Sequence, residues 1–145
     1  MNYYIAYYAN QGCVKKRKFV FSTTNKIEYI LKTISRKYSI ELISASGSLD
    51  GISKKNTLEI NDGINVKLMF SIGTGGRIRR VLDRFLIRIQ ILSRLFFHVK
   101  KSDNIIVYHS LGYMKTIAFA KKLKKFNLIL EVEEIYGDVT GNDKT

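Results

Sequence analysis

Apolar positions along this chain follow two alternating rhythms. "YYIAYYA" (3–9), "SIELISAS" (39–46), "NIIVYHS" (104–110) and "NLILEVEE" (127–134) are short runs rich in β-branched and aromatic residues. Runs of this length and type mark strands buried on both faces. Between the first two, Ile27, Ile30, Leu31, Ile34 and Tyr38 recur at i, i+3, i+4 spacing and predict an amphipathic helix. Asn25, with Glu28 three residues on, has the form of a capping pair at its start. "TLEI" and "INVKLMFSI" flank "NDG", a hairpin-turn signal, and the longer arm from Val66 to Ile72 is expected to join the sheet. "GTGG" (73–76) leads into a long helix from about Arg77 to Lys101, and "GYMKTIAFAKKLKK" predicts another.

Strands alternating with helices predict βαβ units, so the expected fold class is α/β. It would be a Rossmann-like, mostly parallel sheet flanked by helices, with a β-hairpin insertion. Ligands of such sheets gather at the carboxyl ends of the strands, at the switch point. The 145 residues are 46% hydrophobic, enough for one domain with a real core. Residues 1–139 read as that domain and 140–145 as a polar tail. The tail offers no helix to cover the far side of the last strand, so the chain reads as a piece of a longer protein.

The opening segment lacks the basic start of a secretory signal, and no window approaches the roughly 18 apolar residues of a membrane span. A single cysteine, Cys13, rules out an internal disulfide, and with two histidines it cannot complete a common zinc site. A reducing cytoplasm is the expected home. The 25 Lys+Arg against 12 Asp+Glu, a net charge of +13, point to an anionic partner or surface.

Much of that charge lies on the long helix. Ile78, Val81, Leu82, Phe85, Ile89, Leu92, Phe96 and Val99 form one stripe, expected to face the sheet, with Arg77, Arg80, Arg84 and Arg88 on the opposite side. One reading is a helix with a solvated charged back. The other is docking to an anionic membrane surface, favoured by Leu86, Ile87 and Phe97, which widen the apolar zone. Nucleic acid is not expected, because the aromatic residues lie in the first strand or on helix core faces and no binding module is recognisable.

Candidate site chemistry clusters in loops after strands. Gly12, in "NQGC", could let backbone amides approach a phosphate or could be a turn glycine; the segment is not GxGxxG. "GTGG" could cradle a phosphate beside Arg77 and Arg79 or act as a hinge, without the Lys-Ser/Thr of a Walker loop. His109 ends its strand at the ligand edge, where Ser110 could cap the following helix, whereas His98 reads as a surface residue. "LILEVEEIYGD" (128–138) places Glu131, Glu133 and Glu134 at a strand tip, with Tyr136 next to them. Glu131 could pair with a lysine. Carboxylates and an aromatic hydroxyl at that edge also suit a polyol. No third carboxylate stands at metal-ligand spacing, so no metal is expected.

The opening strand with "NQG", the "NDGINVKLMF" hairpin, the Arg-rich helix, "NIIVYHSLGY" and "LILEVEEIYGD" together resemble the amino-terminal half of GT-B glycosyltransferases of the family 4 type. Bacterial capsule and exopolysaccharide enzymes are the nearest in texture. The resemblance implies an acceptor-binding lobe, often serving lipid-linked acceptors, with a basic helix that docks to the membrane. It implies a second lobe for the nucleotide-sugar, transfer with retention of anomeric configuration, and no cofactor or metal. Carried onto this chain it places Gly12 near the donor diphosphate, and His109, Glu133, Glu134 and Tyr136 at the acceptor. Arg77, Arg80, Arg84 and Arg88 would dock the lobe at the cytoplasmic face of the membrane. Glu133 and Glu134 stand where many relatives have a histidine, and the donor lobe lies outside these residues. The chain alone is therefore expected to be inactive, with a second chain or lobe supplying the donor. Two other readings stay open: a non-catalytic basic module binding an anionic membrane or a partner chain, and a small nucleotide-binding enzyme.

Overall fold

Strand β1 (Asn2–Ala6) lies inside a six-stranded sheet, paired in parallel with β2 (Ile40–Ser44) on one side and β5 (Asn104–Tyr108) on the other. The computed structural model describes residues 1–9, 17, 21–49, 51–54, 56–60, 64–73, 75–108 and 111–131. Beyond β2 come β4 (Ile64–Leu68), also parallel, and β3 (Asn56–Ile60), antiparallel to β4; beyond β5 comes β6 (Asn127–Glu131), parallel. The order is β3-β4-β2-β1-β5-β6. The expected hairpin is thus an antiparallel margin on an otherwise parallel, Rossmann-like sheet.

Alternation along each strand sorts side chains onto two cores. Tyr4, Ala6, Leu42, Val66 and Leu68 pack with Ile27 and Leu31 of α1 (Phe21–Ser35). Tyr3, Ile5, Ile43, Ile105 and Val107 pack on the other face with Ile87, Ile91 and Leu95 of α2 (Arg77–His98) and Ile117 of α3 (Leu111–Lys124). Helix α1 follows β1 on one face, and α3 follows β5 on the other. The winding direction therefore reverses between β1 and β5, which makes their carboxyl ends the switch point. Near the opposite edge, Glu41 of β2 is buried and accepts from Arg94 at 2.7 and 2.9 Å, with Lys67 Nζ 3.1 Å away. Those partners let a carboxylate sit under a helix.

Helix α1 begins four residues before Asn25, so the expected capping pair is interior. Thr24 Oγ1 instead donates to the Ala9 carbonyl at 3.1 Å, and Glu28 accepts from the Tyr8 hydroxyl at 2.6 Å. These bonds tie the helix back to the chain leaving β1 and carry it upstream. Tyr38 lies past the helix end and is exposed. Helix α2 stops at His98, whose side chain is exposed as expected.

The faces of α2 differ most from expectation. Its buried positions are Asp83, Ile87, Ile91 and Leu95. In the stripe assigned to the core, Ile78, Val81, Leu82, Phe85 and Ile89 are exposed, Ile78 at 78% and Phe85 at 58%. Only the carboxyl part of that stripe is covered: Leu92 and Phe96 are half-buried against the core, and Val99 belongs to it. The reason is Asp83, whose Oδ1 accepts from Ser71 Oγ at 2.8 Å and from the Ile72 amide at 2.7 Å. Gln90 reinforces this orientation, exchanging 2.8 Å bonds with both the amide and the carbonyl of Phe70. Polar side chains that grip the backbone after β4 thus set the rotation of the helix.

Candidate functional site

The loops expected to carry the chemistry follow β1, β5 and β6. These are neighbouring parallel strands, so their carboxyl ends share one edge. Gly12, His109, Glu133, Glu134 and Tyr136 lie outside the described residues. Glu131, the last described residue, is half-buried and accepts from the Tyr4 hydroxyl at 2.8 Å. Tyr4 is fully buried, and its ring stacks on Tyr108 with centroids 6.3 Å apart. Burial foremost, and then the hydrogen bond to Glu131, push the Tyr4 phenol up, so it stays protonated and donates. Among the described residues the partner of Glu131 is this buried neutral donor, not a lysine.

The rim nearer β2 and β4 is a polar brace. Arg17 is 2% exposed. Its guanidinium donates to the carbonyls of Ser46 and Met69, the latter at 2.6 Å, and to Ser53 Oγ at 3.0 Å. Burial lowers its pKa, and nearby Asp83 works in the opposite direction. Sequence reasoning missed this residue because "KKRK" looks like a solvated run. Ser71 Oγ accepts from the Ser48 and Gly73 amides, joining Asp83 to the same brace. Gly73 has φ +88, and a Cβ there would lie 2.6 Å from the Gly51 carbonyl oxygen. It is a close-approach glycine, so the hinge reading of "GTGG" does not hold at this position. Gly76, also at positive φ, is the residue just before α2 and is exposed.

At the switch point itself, Tyr7 follows β1 and meets Tyr113 in the first turn of α3, ring centroids 5.4 Å apart. Gly112 leaves room for this pair, since a Cβ there would stand 3.1 Å from the Tyr7 hydroxyl. Arg88 Nη2 donates to the Gly112 carbonyl at 3.1 Å. Burial raises the Tyr7 phenol, while its bond with Tyr113 and the charges of Arg84 and Arg88 oppose that rise. Arg84 and Arg88 therefore lie on the side of α2 toward β1 and α3, beside the apolar stripe and not across the helix from it. Nothing in the sequence pattern of Tyr7, Gly112 and Tyr113 marks them out; only the adjacency of β1 and β5 brings them together.

Chemically, the described residues of this edge offer cationic and hydroxyl donors, with the Glu131 carboxylate at the β6 tip. Among the described residues no group of three His, Cys, Asp or Glu could hold a metal ion, and no helix is long and apolar enough to cross a membrane. No protein-family model, curated protein or solved structure matches this chain.

Proposed function

We propose that this chain is the acceptor-binding lobe of a retaining glycosyltransferase, docked on an anionic membrane and serving a lipid-linked acceptor in surface polysaccharide synthesis. The observation that carries this reading is the amino-terminal half of α2. Five apolar side chains, Ile78, Val81, Leu82, Phe85 and Ile89, stand open to solvent, flanked by exposed Arg77, Arg79, Arg80, Arg84 and Arg88. A contiguous apolar stripe rimmed by cations fits a helix lying in the membrane interface, where each arginine contributes about 1 kcal/mol on acidic lipid. Because α2 starts just after the carboxyl end of β4, docking there would bring the ligand edge of the sheet close to the lipid. The parallel Rossmann-like sheet supports the acceptor role, with Gly12, His109, Glu133, Glu134 and Tyr136 assigned to loops at that edge. A second lobe would hold the nucleotide-sugar.

Co-sedimentation with phosphatidylcholine vesicles, with and without phosphatidylglycerol, tests the docking. Binding that requires the acidic lipid, and that falls in the Arg77/Arg80 and Ile78/Phe85 variants, is expected. Sugar transfer only after a separately expressed donor lobe is added tests the enzymatic part. Vesicle binding with no transfer would favour the second reading, a non-catalytic basic module, which the same helix supports. No binding to acidic vesicles would end both.

A further inference from the structure

We infer that Arg84, Arg88 and the Tyr7 hydroxyl form a subsite for a phosphate or diphosphate group at the switch point of the sheet. The inference deepens the acceptor-lobe reading by naming the group gripped there, and it rests on that reading only for the lipid that would carry the phosphate. Arg84 and Arg88 stand one turn apart on α2, two like charges whose mutual repulsion an anion between them would relieve. Among the described residues neither has a carboxylate in ion-pair range. The sole acid of the helix, Asp83, is buried and already engaged by Ser71 and Ile72.

The surroundings hold these donors in place. One N–H of Arg88 donates to the Gly112 carbonyl, which orients the guanidinium, and no other acceptor among the described residues engages it. Tyr7 packs its ring against buried Tyr113, with centroids 5.4 Å apart, which fixes the position of its side chain. Tyr7 is 41% exposed, and its hydroxyl lies beside Gly112. Gly112 keeps that hydroxyl where it is. Two forked guanidinium groups and a neutral hydroxyl match the several oxygens and multiple charge of a phosphate better than a sugar hydroxyl or a single carboxylate.

The experiment is calorimetric titration of the full chain with inorganic pyrophosphate, without lipid, at low ionic strength. Arg84→Gln and Arg88→Gln should each weaken binding about tenfold, since each removes a charge-assisted contact. Tyr7→Phe should weaken it a few-fold, and Arg77→Gln with Arg79→Gln less than twofold. Arg88→Lys, which keeps the charge but loses the fork, should fall between wild type and Arg88→Gln. No pyrophosphate binding by the wild type would overturn the subsite. So would equal losses in the 84/88 and 77/79 pairs, the mark of a diffuse basic surface. Thermal melts would confirm that these exposed substitutions leave the fold intact. In a second arm, phosphatidylcholine vesicles with and without a polyprenyl phosphate identify the source. Added binding that vanishes in Arg84→Gln/Arg88→Gln assigns the phosphate to a lipid-linked ligand. Pyrophosphate binding without that increment keeps the subsite and assigns it to a soluble phosphate. Ile78→Ser/Phe85→Ser should lose acidic vesicles yet keep pyrophosphate, so failure of docking and failure of the subsite are told apart.

Discussion

Replacing Ile78 and Phe85 together by serine separates the two possible orientations of α2 through two measurements that move in opposite ways. Fully burying a side chain of this size is worth about 2.5 kcal/mol. With Ile78 at 78% and Phe85 at 58% exposure, complete immersion in lipid would recover about 3 kcal/mol from the pair. A helix lying in the interface plane immerses its outward tips, roughly half of that. The double variant should therefore partition between about 10-fold and 100-fold more weakly onto vesicles of phosphatidylcholine and phosphatidylglycerol. Its folding stability should hardly change. Both positions are exposed, and serine and isoleucine differ little in helix propensity, so urea denaturation should show a loss within about 1 kcal/mol. If the stripe were core, two large-to-small changes would cost upwards of about 5 kcal/mol. Vesicle affinity within twofold of wild type, or a collapse in stability, would refute the reasoning.

Four further outcomes test the fold. Arg94→Met should lower the urea-derived stability by about 3 kcal/mol, because Glu41 stays buried with Lys67 alone; the Glu41→Met/Arg94→Met double should recover much of that. Asp83→Ala strands the Ser71 hydroxyl and the Ile72 amide and should cost about 3 kcal/mol, with near-ultraviolet dichroism reporting loosened packing of α2. Gly73→Ala meets both a positive φ and the Gly51 carbonyl, and a drop in melting temperature equivalent to about 2 kcal/mol or more is expected. For Asp103, burial alone would raise the carboxyl, but bonds from the Met1 ammonium at 2.7 Å and the Lys100 amide at 2.8 Å outweigh it, and the pKa is lowered. A lowered folded-state pKa stabilises above the unfolded value of about 3.9 and loses that contribution as pH falls through the folded value. The wild-type advantage over Asp103→Asn should thus be constant near neutrality and shrink on acidification below about pH 4, as followed by urea midpoints.

The strands, their parallel pairing and the antiparallel margin were legible in the sequence. "YYIAYYA", "SIELISAS" and "NIIVYHS" lack the polar alternation of a one-sided sheet, and the two cores explain why, since each of these strands is covered on both faces. "NDG" between two apolar runs marked the β3–β4 pair. The start of α1 was not legible, because Thr24 and Glu28 are engaged by Ala9 and Tyr8 from a distant strand end, and an isolated capping pattern carries no record of that. Of the candidate site, strand order confirms that β1, β5 and β6 end at one edge, and Glu131 is held by Tyr4. Tyr7, Tyr113 and Gly112 were invisible as a group, because Tyr7 lies over a hundred residues before the other two in the chain.

The face of α2 shows the division most sharply. Local composition alone makes residues 77–98 a basic helix with abundant apolar side chains, because helical periodicity is a property of neighbours. Which side turns inward is not a local property. The longer and cleaner apolar stripe lost to one interrupted by Asp83, since only the folded sheet brings Ser71 and the Ile72 amide to that carboxylate and Phe70 to Gln90. Hydrogen bonds made across the fold outweighed hydrophobic bookkeeping along the helix. They left an apolar stripe facing outward and two arginines at the switch point.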